Sequence, residues 1–273
     1  MKKIFDGKTI IVTGGGKGIG REIARLFGSE GCNVVITGRD QQALDRTAGE
    51  FSQEQIQVLP LVGDVTRVED CREIVQQTLA QYGRLDILIN NAGMTMRGLF
   101  ESTDLNVFHK IMDINFSGAA TMTWFALPHI KKHRGSVLFI SSIAGLKGLP
   151  GAAPYSASKM ALKSFSESLR CELFGQVHIG IIYVGFTEND PGKVMYNTTG
   201  ELIPLKRDKY NSSQLDVARE AFHAVRRRKR QIVMTPLGKI ASFLYTVFPV
   251  ISEYLIARFV VRSSMYGADD IFT

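Results

Sequence analysis

Cysteine is scarce and poorly placed for bonding. Cys32, Cys71 and Cys171 are the three thiols in 273 residues, odd in number and far apart, with no Cys-x-x-Cys pair. That pattern excludes a disulfide framework and a cysteine metal knuckle. Three reduced thiols suit a cytoplasmic environment. Low-complexity tracts and fixed-period repeats are missing too, which excludes disordered and solenoid architectures. The opening Met1-Lys2-Lys3-Ile4-Phe5 is cut off by Asp6-Gly7-Lys8 and does not read as a secretory leader. His129 and His133 are four apart, but they sit with Lys131, Lys132 and Arg134 at the end of a helical pattern. A helix C-terminus favours basic side chains, so no metal is expected there. Basic residues are not interleaved with aromatics, and no nucleic-acid partner is expected.

What is present is an ordinary globular balance, 45% hydrophobic and 22% charged, enough for one substantial core. Short apolar runs at 9–13, 33–37, 56–62, 86–90, 135–141, 177–184 and 231–234 read as strands. Helical periodicity fills 19–29, 41–53, 67–82, 104–132, 155–174 and 214–229. Alternation of this kind predicts an α/β fold, a single doubly wound parallel sheet with helices on both faces. Residues 1–236 form that domain, and 237–273 form an apolar helical extension.

The first strand runs straight into Gly14-Gly15-Gly16-Lys17-Gly18-Ile19-Gly20, and a helical pattern starts at once. Strand, glycine turn and helix are the context of a dinucleotide cradle. Gly14 makes the turn, Gly18 lets the backbone approach a pyrophosphate, and Gly20 packs the helix onto the strand. Further on, Tyr155-Ser156-Ala157-Ser158-Lys159 places a phenol and an ammonium four apart, on one helix face. A phenol titrates near ~10 and moves protons poorly at neutral pH. A fixed ammonium beside it stabilises the phenolate.

Residues 13–20, Asn90-Asn91-Ala92-Gly93, Asn115, Ser142, Tyr155 and Lys159 fall in an order and spacing that resembles the short-chain dehydrogenase/reductase family. The resemblance spans residues 8 to about 190. It implies a Rossmann-type sheet of about seven strands in the order 3-2-1-4-5-6-7. It also implies Tyr155 as general acid/base and Ser142 as hydrogen-bond partner of the substrate oxygen. Lys159 would lower the Tyr155 pKa and hold the nicotinamide ribose. Asn115 would hold a water linking Lys159 to solvent. Gly14, Gly16, Lys17, Gly18, Ile19 and Gly20 would bind the cofactor. Asp64 and Val65 would meet the adenine, unless Asp64 caps a helix. Asn91 and Gly93 would line the cleft. The family's Pro-Gly after the sixth strand is Val184-Gly185 here, and Asn189 replaces the usual Thr. Gly185 and Thr187 are therefore the candidates for the nicotinamide end, with Asn189 as alternative. Hydride chemistry needs no metal.

Thr37-Gly38-Arg39-Asp40 closes the second strand without a carboxylate at the usual position. Arg39 and Lys17 suit a 2′-phosphate, so NADP(H) is expected over NAD(H). Asp40 stands against this unless it caps the next helix. Residues 188–212 are breaker-rich and polar, and the resemblance makes them a substrate lid.

Net charge is +7, and residues 201–273 hold 12 Lys/Arg against 7 Asp/Glu. Arg226-Arg227-Arg228-Lys229-Arg230 ends a helical pattern. Beyond it, Ile240, Phe243, Leu244, Val247, Phe248, Ile251, Leu255 and Phe259 form a stripe at helical spacing. Pro249, Glu253 and Arg258 argue against a membrane span. The stripe reads as core or subunit interface, with peripheral membrane contact as the alternative. Together these features predict an NADP(H)-dependent enzyme that interconverts a carbonyl and an alcohol. Its substrate would be a hydrophobic small molecule resembling a steroid, retinoid or keto-sphingoid base. The assembly would be a homodimer or homotetramer. The rivals are an NAD-dependent dehydrogenase of a sugar or other polar alcohol, and a cofactor-sensing or membrane-attached scaffold without turnover.

Overall fold

Each apolar run forms its strand, within two residues of the expected bounds. The computed structural model describes residues 3–205 and 212–260. Its strands are β1 (Thr9–Thr13), β2 (Asn33–Gly38), β3 (Val58–Val62), β4 (Ile87–Asn90), β5 (Ser136–Ser142), β6 (His178–Val184), β7 (Val194–Tyr196), β8 (Leu202–Pro204) and β9 (Gln231–Val233). The helices are α1 (Gly18–Ser29), α2 (Gln41–Gln53), α3 (Val68–Tyr82), α4 (Leu105–Met112), α5 (Gly118–Lys132), α6 (Ala153–Glu172), α7 (Gln214–Arg226), α8 (Pro236–Val247) and α9 (Pro249–Leu255). Seven strands make one sheet in the order β3-β2-β1-β4-β5-β6-β9, and every neighbouring pair is parallel.

Alternation along the strands builds two cores. Ile10, Val12, Val34, Ile36, Leu138 and Ile140 point to one face, where α1, α2 and α7 cover them with Ile23, Phe27, Leu44 and Phe222. Ile11, Val35, Val137 and Phe139 point to the other, under α3, α5 and α6. Burial on both faces is why these strands read as unbroken apolar runs. Cys32 and Cys71 lie buried as free thiols, and burial pushes both up to about 12, so they stay protonated.

Four local outcomes differ from the expectation. The pattern over 104–132 is two helices joined by a π-helical turn, Asp113–Ser117, with buried Asn115 inside it. Such turns interrupt helices where a side chain is needed inward. Within the expected lid, β7 and β8 pair as an antiparallel hairpin. Three-residue strands are too short for a periodic signal. The hairpin docks on the loop after β4, where the Arg97 and Tyr196 N–H groups donate to the carbonyls of Tyr196 and Thr95. The lid's residues 206–211 lie outside the described residues. Helix α7 stops at Arg226, because Arg228 takes φ 50° and donates its guanidinium to the Arg134 carbonyl. Finally, the tail stripe is not core. Ile240, Phe243, Leu244, Val247, Phe248, Ile251 and Leu255 are exposed, Phe243 by 63%. The Phe259 side chain and residues 261–273 are outside the described part. No helix among the described residues is long and apolar enough to cross a membrane.

Candidate active site

The strand order reverses between β1 and β4, and a cavity of about 340 Å³ opens beyond the strand ends there. On its β1 side, Gly14 and Gly18 take φ of 64° and 59°, which L side chains rarely adopt. A β-carbon on Gly20 would run into the Gly14 carbonyl and stand 2.5 Å from Asn91 Nδ2. Asn91 Nδ2 donates to the carbonyls of Thr13 (2.9 Å) and Gly14 (3.3 Å). The N–H groups of Asn91 and Ala92 both donate to Thr13 Oγ1 at 3.0 Å. The side chain of Asn91 therefore holds the glycine turn in shape. Lys17 precedes α1 without capping it, and the first turn carries no acid. An uncapped N-terminus over a left-handed glycine turn fits a dinucleotide pyrophosphate.

The opposite wall carries the proton chemistry. Lys159 is buried on α6, and its Nζ donates to the Ile140 carbonyl at 3.0 Å. The same ammonium lies 5.9 Å from the centre of the Tyr155 ring. Burial brings Lys159 down to about 8, and the Lys193 charge acts in the same direction. Ser142 ends β5, and its Oγ accepts from the Ala144 N–H at 3.2 Å. That leaves its proton for an oxygen in the cleft. Gly93 has no room for bulk: its β-carbon would stand 3.1 Å from Asn115 Oδ1 and 3.4 Å from Lys159 Nζ.

The expected residues do not all reach the cavity. Gly14, Lys17, Gly18, Ile19 and Gly20 line it, as do Asn91 and Gly93. Ser142, Tyr155, Lys159, Gly185 and Thr187 line it as well. Asn115 stands behind the wall. Its Oδ1 accepts from Met94 N–H at 2.7 Å, and its Nδ2 donates to the Met94 carbonyl and Ser158 Oγ, both at 2.9 Å. The side chain thus ties the Met94 peptide to the start of α6. Gly16 is covered by Leu44, 3.2 Å from its β-carbon position, and its carbonyl accepts from Thr47. Val65 is buried against Gly118. Arg39 and Asp64 lie at the ends of β2 and β3 as a loose ion pair of 3.6 Å. Asp64 Oδ1 also accepts from Thr66 N–H and Oγ1. Asp40 caps α2 by accepting from Ala43 N–H at 3.1 Å. Thr187 turns its hydroxyl to Ser212 Oγ at 3.1 Å, and Asn189 keeps Oδ1 buried with no partner among the described residues. Among the described residues, no group of His, Cys, Asp or Glu could hold a metal ion.

Sequence reasoning missed Ser158, whose Oγ donates to the Tyr155 carbonyl at 2.7 Å and joins Asn115 to the α6 start. It also missed Asp190. One carboxylate oxygen lies 2.8 Å from the β-carbon position of Gly18, and the other accepts from Gln214 Nε2 at 3.1 Å. A loop carboxylate thus stands at the α1 N-terminus. Neither residue has a local pattern that could have flagged it.

The sheet order and this cleft define a class: Rossmann-type α/β proteins that carry a nucleotide cradle beside a tyrosine–lysine pair. The family model "short chain dehydrogenase" matches residues 8–198. The "11-beta-hydroxysteroid dehydrogenase-like 2" of Arabidopsis thaliana is 32% identical over 258 residues, 92% of this chain and 80% of that protein. The "11-beta-hydroxysteroid dehydrogenase" of Pinus massoniana is 36% identical over 73% of this chain and 57% of its own length. In fold, the chain superposes with TM-score 0.78 on a short chain dehydrogenase/reductase from Burkholderia phymatum in complex with NAD. That match is 23% identical and covers 90% of this chain and 95% of that one. This protein belongs to the short-chain dehydrogenase family, whose members are NAD(P)(H)-using oxidoreductases.

Proposed function

We propose that the protein uses NADP(H) to interconvert a carbonyl and an alcohol on a hydrophobic small molecule. The carrying observation is that Tyr155, buried Lys159 and Ser142 share one cavity with the glycine cradle. The bound cofactor supplies or accepts the hydride at the substrate carbon. In reduction, Tyr155 gives its phenolic proton to the carbonyl oxygen. Ser142 donates a hydrogen bond to the same oxygen as charge builds on it. The Lys159 ammonium stabilises the resulting phenolate, and Asn115 and Ser158 fix the backbone around the pair. Met94, Leu149, Phe186, Val194 and Leu205 give the cavity an apolar side. The relatives' steroid names support a substrate of that kind over a sugar.

NADP(H) is favoured because the capping role of Asp40 removes the nearby carboxylate from ribose binding and leaves Arg39 at the strand end. Charge-assisted hydrogen bonds of this sort contribute about 1.5–3 kcal/mol. Arg39→Asp is expected to weaken NADPH binding roughly 10- to 100-fold in a fluorescence titration and to leave NADH unchanged or tighter. Equal NADPH affinity in wild type and variant would remove the 2′-phosphate argument.

The exposed tail face supports a second element of the reading, peripheral attachment to a membrane surface through 237–273. Liposome co-sedimentation of the full chain and of one ending at 236 tests it. Retention that vanishes with the tail is the expected result. Full retention without the tail sinks the idea, and a change of assembly size with no liposome binding assigns the face to subunit contact.

A further inference from the structure

An open groove of about 430 Å³ lies between the exposed outer face of α6 and tail residues 253–257. Ala157 and Met160 of α6 form one wall, and Ile256 and Ala257 of the tail form the other. The lining is apolar apart from Ser156 and the Lys147–Glu253 ion pair of 2.5 Å, which ties the loop before α6 to the tail. Leu149 lines this groove and also the reaction cleft, so the two share a wall. The cleft, at about 340 Å³, has to take the nicotinamide end of the cofactor as well as the reacting group. The groove adds a further space of ligand size on the other side of Leu149.

We infer that the groove holds the linear apolar chain of the substrate, which leaves the cleft past Leu149 and lies under the tail. This rests on the oxidoreductase reading and narrows its substrate class. A flexible alkyl chain can bend around Leu149, and its methylenes suit the mostly apolar lining. The Lys147–Glu253 pair holds the tail as the outer wall.

The test is NADPH consumption with 2-ketones from hexan-2-one to tetradecan-2-one. In wild type, kcat/KM is expected to rise about two- to fourfold per added methylene until the groove is filled. Ala157→Trp fills the groove from α6, and Ala257→Trp fills it from the tail. Each should flatten the rise for long ketones and leave hexan-2-one turnover and NADPH affinity unchanged. A flat series in wild type, or Trp variants that keep the full rise, overturns the inference while the catalytic reading stands. Trp variants that change the assembly size without changing chain preference also overturn it, since the groove is then a subunit contact. No consumption with any ketone, hexan-2-one included, counts against the catalytic reading instead. A fluorescent dodecyl probe then decides the groove: at least tenfold weaker binding to Ala157→Trp supports it, and equal binding to wild type and variant overturns it.

Discussion

Tyr155→Phe should lower kcat for carbonyl reduction by about 10²–10⁴-fold, the range of a lost general acid, while NADPH affinity stays within a few-fold. The ring remains, so its packing against the Met96, Val107 and Ile111 cluster persists and only the proton donor is gone. Lys159→Met should lose rate and cofactor affinity together, because the ammonium stabilises the phenolate and also faces the cofactor cleft. The wild-type pH profile follows from the same residue. Burial holds Lys159 near about 8, so its charge is present below that pH and lost above it. Reduction should decline as pH rises through about 8, and Lys159→Arg should move that limb upward. A Tyr155→Phe enzyme with more than a tenth of wild-type kcat, or a rate that climbs steadily past pH 9, would count against this assignment.

Gly20→Ala should weaken cofactor binding by 100-fold or more and lower thermal stability. The added methyl meets the Gly14 carbonyl and lies 2.5 Å from Asn91 Nδ2, and neither can yield cheaply. The Gly14 carbonyl belongs to the turn itself, and Asn91 is held by Thr13 and Gly14. Overpacking of this kind costs about 1–3 kcal/mol, or roughly 3–10 °C in Tm for a domain of this size. Helix α1 has to back away from β1, which carries its N-terminus off the pyrophosphate. Gly49→Ala is the control, because its β-carbon position has nothing within 4 Å. NADPH titration and a melting curve on both variants decide the matter. A Gly20→Ala protein that binds NADPH within threefold of wild type would show that the turn does not position the cofactor.

Some features were legible in the chain because they are local. The apolar runs specify buried parallel strands, since a strand covered on both faces has no polar alternation to lose. Gly14, Gly18 and Gly20 mark a turn because only glycine tolerates the φ values and close approach that the structure then displays. The four-residue spacing of Tyr155 and Lys159 fixes their common helix face without reference to anything distant.

Other features depend on contacts between residues far apart in sequence, and only the fold could decide them. Asn115 clamps the Met94 peptide, 21 positions away, because the π turn swings its amide inward. Asp190 looks like any loop carboxylate until the lid lays it over Gly18. The hairpin in that lid gains its stability by docking on the loop after β4, a partner no local pattern names. The tail stripe carries the spacing of a core helix. Whether such a face is buried depends on whether another surface is available to cover it, and here the two sheet faces are already filled by α1, α2 and α7 and by α3, α5 and α6.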